Sequence, residues 1–119
     1  MEGGIEIKSS ASKMIDKNWI ISDTILNRFV KSSYWRNVND YHSLKIRTGV
    51  FLFVDIFYQV QYIGKADEGR MVIEIAEAIR AGKLNGASLI KVLYTSSTEK
   101  AQLLERELIK KYHPTNNLE

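Results

Sequence analysis

The 119-residue sequence predicts an α+β domain: a small, mainly antiparallel three-stranded sheet flanked by helices in the order β-β-α-β-α, with an N-terminal helical extension. Three observations carry this reading. Apolar spacing changes from helical to strand-like near residue 48, two strand-like runs follow each other with only a few residues between them, and two amphipathic segments bracket a third apolar run.

In chain order, Ile21, Ile25, Leu26, Phe29 and Val30 recur at helical spacing behind Ser22 and Asp23, both good N-cap types, which predicts a helix over 23–33. Residues 1–45 are therefore expected as a helical extension packed on a core formed by 46–119. Gly49-Val50-Phe51-Leu52-Phe53-Val54 is a β-branched and aromatic run, and Tyr58-Gln59-Val60-Gln61-Tyr62-Ile63 alternates polar with apolar, so the two form a hairpin. A polar loop from Lys65 to Gly69 leads into Met71, Val72, Ile75, Ala76, Ala78 and Ile79, one face of a helix that Gly82 stops. Ser88 to Thr95 reads as the third strand. Ser96 and Glu99 have capping-box spacing at the start of a last helix, which runs to about Tyr112 and ends at Pro114.

Composition removes several function classes. With no Cys there is no disulfide, thiolate nucleophile, Cys-ligated zinc or iron–sulfur cluster, and His42 and His113 are too few for a histidine-rich metal site. No apolar run approaches the ~20 residues that span a bilayer, so no membrane partner is expected. The first residues lack the apolar stretch of a secretory signal, so a cytoplasmic location is expected. Residues 1–48 carry eight Lys/Arg against five Asp/Glu, whereas 49–119 carry nine of each. Tyr34, Trp35, Arg36 and Tyr41 lie in that basic part, as a strip meeting phosphates and bases or as the apolar side of an ordinary amphipathic segment.

In the last helix, Leu104, Leu108, Ile109 and Tyr112 share a stripe with Ala101, and Glu105 falls inside it, whereas Glu107 projects to the side. A bare carboxylate facing a core costs several kcal/mol, so Glu105 must protonate, pair with a cation, or open onto a cleft and bind a metal. Periodicity alone leaves the salt bridge and the metal site equally open.

Gly49-Val50-Phe51 on the first strand, Tyr62-Ile63-Gly64-Lys65 at the end of the second, and Glu105 followed by Pro114 and Asn117 resemble the GIY-YIG endonuclease family. The two tripeptides start 13 positions apart and Glu105 precedes Pro114 by nine, both spacings of the family pattern. The resemblance covers 49–117, makes 46–119 a GIY-YIG-like nuclease core, and leaves the first 48 residues unaccounted for.

The resemblance implies a metal-dependent endonuclease of phage, mobile-element or restriction type that hydrolyses phosphodiesters of duplex or branched DNA. The cofactor it implies is one divalent cation, Mg²⁺ with Mn²⁺ as substitute. On this chain Glu105 becomes the metal ligand and Tyr62 the group that activates water. Lys65 and Arg70 join them as catalytic and phosphate-binding residues, and Asn117 becomes a substrate-side or tail-anchoring residue. A phenol titrates near ~10, so Tyr62 needs a metal or cation nearby to act as a base. One such site cuts one strand, so a double-strand break calls for two subunits, as in a homodimer, or for two binding events. Two departures support the alternative of a catalytically degenerate, nucleic-acid-binding module. Phe51 stands where the first motif has Tyr and has no hydroxyl, and Val72 stands where the family's Arg sits, leaving Arg70, Arg80 or Lys83 to reach the phosphate.

Overall fold

The structure, a computed structural model, describes residues 31–117. Its long elements follow the expected order: β3 (Gly49–Val54), β4 (Val60–Ala66), α1 (Met71–Arg80), β5 (Leu89–Tyr94) and α2 (Thr98–Tyr112). Ahead of them lie two short strands, β1 (Lys31–Ser32) and β2 (Arg36–Asn37), and a 3₁₀ turn over Val38–Ser43; a second 3₁₀ turn, Thr115–Asn117, follows α2. Every pairing is antiparallel, with β3 in the middle, β4 at one edge, and β5 carrying β1 and β2 on its far side.

Among the described residues the sheet thus has five strands where three were expected. The two additions are two residues each, too short for any hydrophobic period to show. The expected helix over 23–33 falls outside the described residues up to position 30, and at 31–32 the chain is strand, not helix, because these backbone groups pair with Tyr94 and Leu93. The part of the extension within 31–45 is two strands and a 3₁₀ turn.

Alternation along β3 divides the core. Val50, Leu52 and Val54 face α2, where Ala101, Leu104, Leu108 and Tyr112 meet them together with Ile63 and Leu93. Phe51 and Phe53 face the other way, onto Met71, Ile75 and Ala78 of α1. All six residues of β3 are buried, as a central strand covered by a helix on each face must be.

Two boundaries moved, and one side chain is more buried than expected. The second strand runs to Ala66, so Lys65 sits on the strand opposite Val50 rather than in a loop. Gly64 permits this: a Cβ there would come within 2.4 Å of the Phe51 ring, which lies across the glycine from the neighbouring strand. At α2 the N-cap is Ser97, whose hydroxyl accepts from the Lys100 amide, so the capping box expected at Ser96 and Glu99 does not form. Glu107, expected on the solvated side, is half-buried, with one carboxylate oxygen shielded from water. The ends of α1 and α2 are as read, with Gly82 in a left-handed conformation after α1 and His113 capping α2 before Pro114.

Gly49 is needed for a different reason. A Cβ there would stand 2.6 Å from the Leu93 carbonyl oxygen, a backbone atom that cannot swing aside. Gly49→Ala therefore forces β3 and β5 apart, and we expect a loss of about 1–3 kcal/mol in urea unfolding. An unchanged midpoint would mean that the strand pair is looser there than its register implies.

The sequence reading did not single out Lys91, in the middle of β5 and only 6% exposed. Its ammonium donates to the Ser33 carbonyl at 2.6 Å and lies 4.9 Å from the centre of the Trp35 ring. Burial lowers its pKa from 10.5 to about 8. Because the folded value is the lower one, the charge costs stability at every pH below about 8, and that cost is relieved as pH rises to the unfolded value. Stability of the wild type relative to Lys91→Met should thus rise by roughly 3 kcal/mol between those limits. Tyr94, whose pKa burial raises, titrates in both proteins and cancels from the difference. A difference that stays flat with pH would show the ammonium to be solvated.

Candidate active site

The site is organised by β4, the edge strand. Tyr62 packs against the α1-side cluster, its ring centre 6.1 Å from that of Phe51 and 5.8 Å from that of Phe53. Phe51, Tyr62, Gly64 and Lys65 border a shallow groove of about 210 Å³, closed on the helix side by Glu74 and Glu77 of α1. Lys83 completes it: its ammonium lies 5.6 Å from the centre of the Tyr62 ring. In the sequence Lys83 was one of several cations able to reach a phosphate, and nothing in the turn after Gly82 distinguished it. The tail holds it in place, since the Lys83 ammonium donates to the Asn116 carbonyl at 3.2 Å and the Asn116 side chain donates to the Lys83 carbonyl at 2.8 Å.

Asn117 is spent on the same strand. Its side-chain oxygen accepts from the Ile63 amide at 2.8 Å and its amide donates to the Ile63 carbonyl at 2.9 Å. An edge strand leaves such outward groups unpaired, and one carboxamide satisfies both. This pins the tail between Tyr62 and Gly64 and gives Asn117 an anchoring role on β4.

Glu105 is half-buried on α2, the helix on the other face of the sheet. Among the described residues no hydrogen bond or ion pair engages its carboxylate. Burial raises its pKa, and the charges of Lys65 and Arg106 oppose that rise only in part. Lys65, opposite Val50 on β4, directs its charge to the Glu105 side, while its neighbours Tyr62 and Gly64 border the groove on the other face. Its closest ionic partner is Asp67, at 3.6 Å.

Arg70 is less free than the sequence suggested. It occupies the N-cap of α1, and its Nε lies 3.0 Å from the Glu74 carboxylate, so it is tied to one of the acids that line the groove. Val72 is half-buried on α1 and cannot substitute for a missing guanidinium.

Comparison with solved structures matches this architecture. The GIY-YIG N-terminal endonuclease domain of UvrC from Thermotoga maritima, bound to magnesium, superposes with a TM-score of 0.58 over 67% of this chain and 93% of that domain, at 23% identity. The chain has a GIY-YIG-like fold. Two tyrosine-to-phenylalanine variants of the same domain, each bound to the catalytic divalent cation, match at 24% and 23% identity, with the same TM-score of 0.58, 68% of this chain and 93% of theirs. No family model and no curated protein sequence matches the chain.

One carboxylate of this domain is placed to take part in holding a divalent cation. Among the described residues no cluster of three or more His, Asp or Glu side chains forms a cage. A lone, unpartnered carboxylate suits Mg²⁺, which keeps most of its waters and accepts one or two protein carboxylates.

Proposed function

We propose that the protein is a metal-dependent endonuclease acting on DNA. The observation that carries this is Glu105, a half-buried carboxylate with no hydrogen-bond or ion-pair partner among the described residues, on the helix beside the strand that bears Tyr62 and Lys65. Keeping such a group partly out of water costs free energy, and a bound cation would offset that cost. Glu105 would hold the divalent ion, which when bound would neutralise phosphoryl oxygens and lower the pKa of water.

The chain's own residues supply the rest. Tyr62 would act in its ionised form, the phenolate oxygen taking the proton from water, and the lysine over its ring and the bound cation would favour that charged form. Lys83 puts positive charge over the Tyr62 groove, and Lys65 puts it on the Glu105 side of the same strand, where a phosphodiester held by the cation would develop negative charge. Arg70 joins them if a phosphate displaces Glu74 from its guanidinium. Phe51, 2% exposed, keeps the floor of the groove dry and offers no proton.

A second reading, a GIY-YIG-like module that binds nucleic acid without cutting it, is favoured by two observations: the buried Phe51 and an arginine already paired with Glu74. Supercoiled plasmid incubated with the purified protein in Mg²⁺, Mn²⁺ or EDTA tests both. Metal-dependent nicking supports the enzyme; retarded but uncut DNA supports the module. Action as a homodimer and a cytoplasmic location remain part of the proposal, the first tested by whether linear product appears together with nicked product.

A further inference from the structure

At the end of the sheet opposite the β3–β4 hairpin, Lys31, Lys45 and Arg47 border a cavity of about 530 Å³. All three side chains are exposed. Backbone bonds from separate parts of the chain hold them together. Lys31 is paired in register with Tyr94, and the buried Tyr94 hydroxyl accepts from the Lys45 amide at 3.1 Å and donates to the Lys45 carbonyl at 3.4 Å. The Gly69 amide donates to the Ile46 carbonyl at 2.7 Å, and the Thr95 amide to the Thr48 carbonyl at 3.0 Å.

The cations are thus placed by neutral groups, and among the described residues none of them has an ion pair. Glu68 is the single carboxylate on the lining, against three positive charges, and the hydroxyls of Thr95 and Ser96 add hydrogen-bonding capacity. Lys31 stands close enough to Lys45 to hold its pKa below the usual lysine range, with a smaller effect from Arg47. Like charges gathered without a counter-charge raise the local potential and favour an anion. A second cavity of about 220 Å³ shares Lys31, Lys45 and Tyr94 with the first and adds Arg36 and Tyr34, the latter 85% exposed. A single phosphate would occupy one cavity. A track of cations across two, beside an exposed aromatic ring, suits a polymer that alternates phosphates with flat bases.

We propose that this cluster is a second nucleic-acid contact, separate from the Tyr62 groove, taking backbone phosphates on Lys31, Lys45 and Arg47 and a neighbouring base on Tyr34. The assignment rests on the nucleic-acid reading above for its ligand. It gives a role to the basic stretch before β3, which the GIY-YIG motifs do not include.

The test measures binding of a short fluorescein-labelled duplex to the full chain in EDTA over a range of salt, for wild type, K31Q/K45Q/R47Q and the control K100Q/K110Q on α2. The triple variant should flatten the slope of log K against log salt by about 2–3, since each lost phosphate contact removes about 0.9. The control should change it by much less per charge removed. Melting temperature should not fall in either variant, because all five side chains are exposed. Equal slopes for wild type and the triple variant would overturn the proposal, as would equal effects per charge in variant and control. Plasmid nicking in Mg²⁺ by the same proteins separates the two readings. A flattened slope with no nicking by wild type overturns the nuclease and keeps this contact; nicking with an unchanged slope does the reverse.

Discussion

Glu105→Gln should abolish metal-dependent nicking, a loss of about 10³-fold or more, while the protein remains folded. The amide keeps the shape of the side chain and loses the charge that holds the cation. Since burial raises the Glu105 pKa, the carboxylate form costs stability in the absence of metal at every pH above that raised value. Removing the charge should therefore leave the metal-free melting temperature unchanged or higher at neutral pH, and that advantage should vanish in acid as the wild-type carboxyl takes up its proton. Excess Mg²⁺ should raise the melting temperature of the wild type and not that of the variant, because only a folded site with a carboxylate binds the ion. Metal-induced stabilisation of the wild type should in turn be lost on acidification at a higher pH than an ordinary carboxylate would give. Glu99→Gln, at an exposed position in the first turn of the same helix, is the control. A Glu105→Gln protein that melts lower, keeps its Mg²⁺ shift and still nicks would reduce Glu105 to a structural charge.

Tyr62→Phe should lower the nicking rate by about 10²–10⁴-fold with little change in DNA affinity. The ring keeps its packing against Phe51 and Phe53, so the change removes an oxygen and leaves the groove shape as it was. Phe51→Tyr is the informative companion. Its ring is buried across Gly64 and beside Tyr62, so a new hydroxyl there has to find a partner or carry a desolvation cost. In an active nuclease that change should leave the rate unaltered or lower it. Restored nicking by Phe51→Tyr in an otherwise inert protein would establish the non-cutting module as the native state. Full activity in Tyr62→Phe would remove Tyr62 from proton transfer and leave Lys83 and Lys65 as the working cations of the site.

The sequence alone determined the elements whose signals are local. The β3–β4 hairpin, α1, β5 and α2 came from hydrophobic period and from stop signals at Gly82 and Pro114, because alternation and the 3.6-residue turn are imposed by backbone geometry within a few residues. Glu105 was legible for the same reason, as a charge inside an apolar stripe. Tertiary structure decided what depends on residues far apart in the chain. It turned positions 31–32 and 36–37 into strands, since two-residue segments have no period of their own and exist only because β5 offers an edge. It extended β4 through Lys65, because the Phe51 ring covers Gly64 from the neighbouring strand. It put Lys83 over Tyr62 by way of a tail that ends more than thirty positions later. It also gave the tail-anchoring role expected of Asn117 its partner, the backbone of Ile63 more than fifty positions earlier. Lys91 shows the limit most directly: the sequence reading passed over this lysine between Ile90 and Val92, and only the packing of Ser33 and Trp35 over it decided that the charge is buried and its pKa lowered.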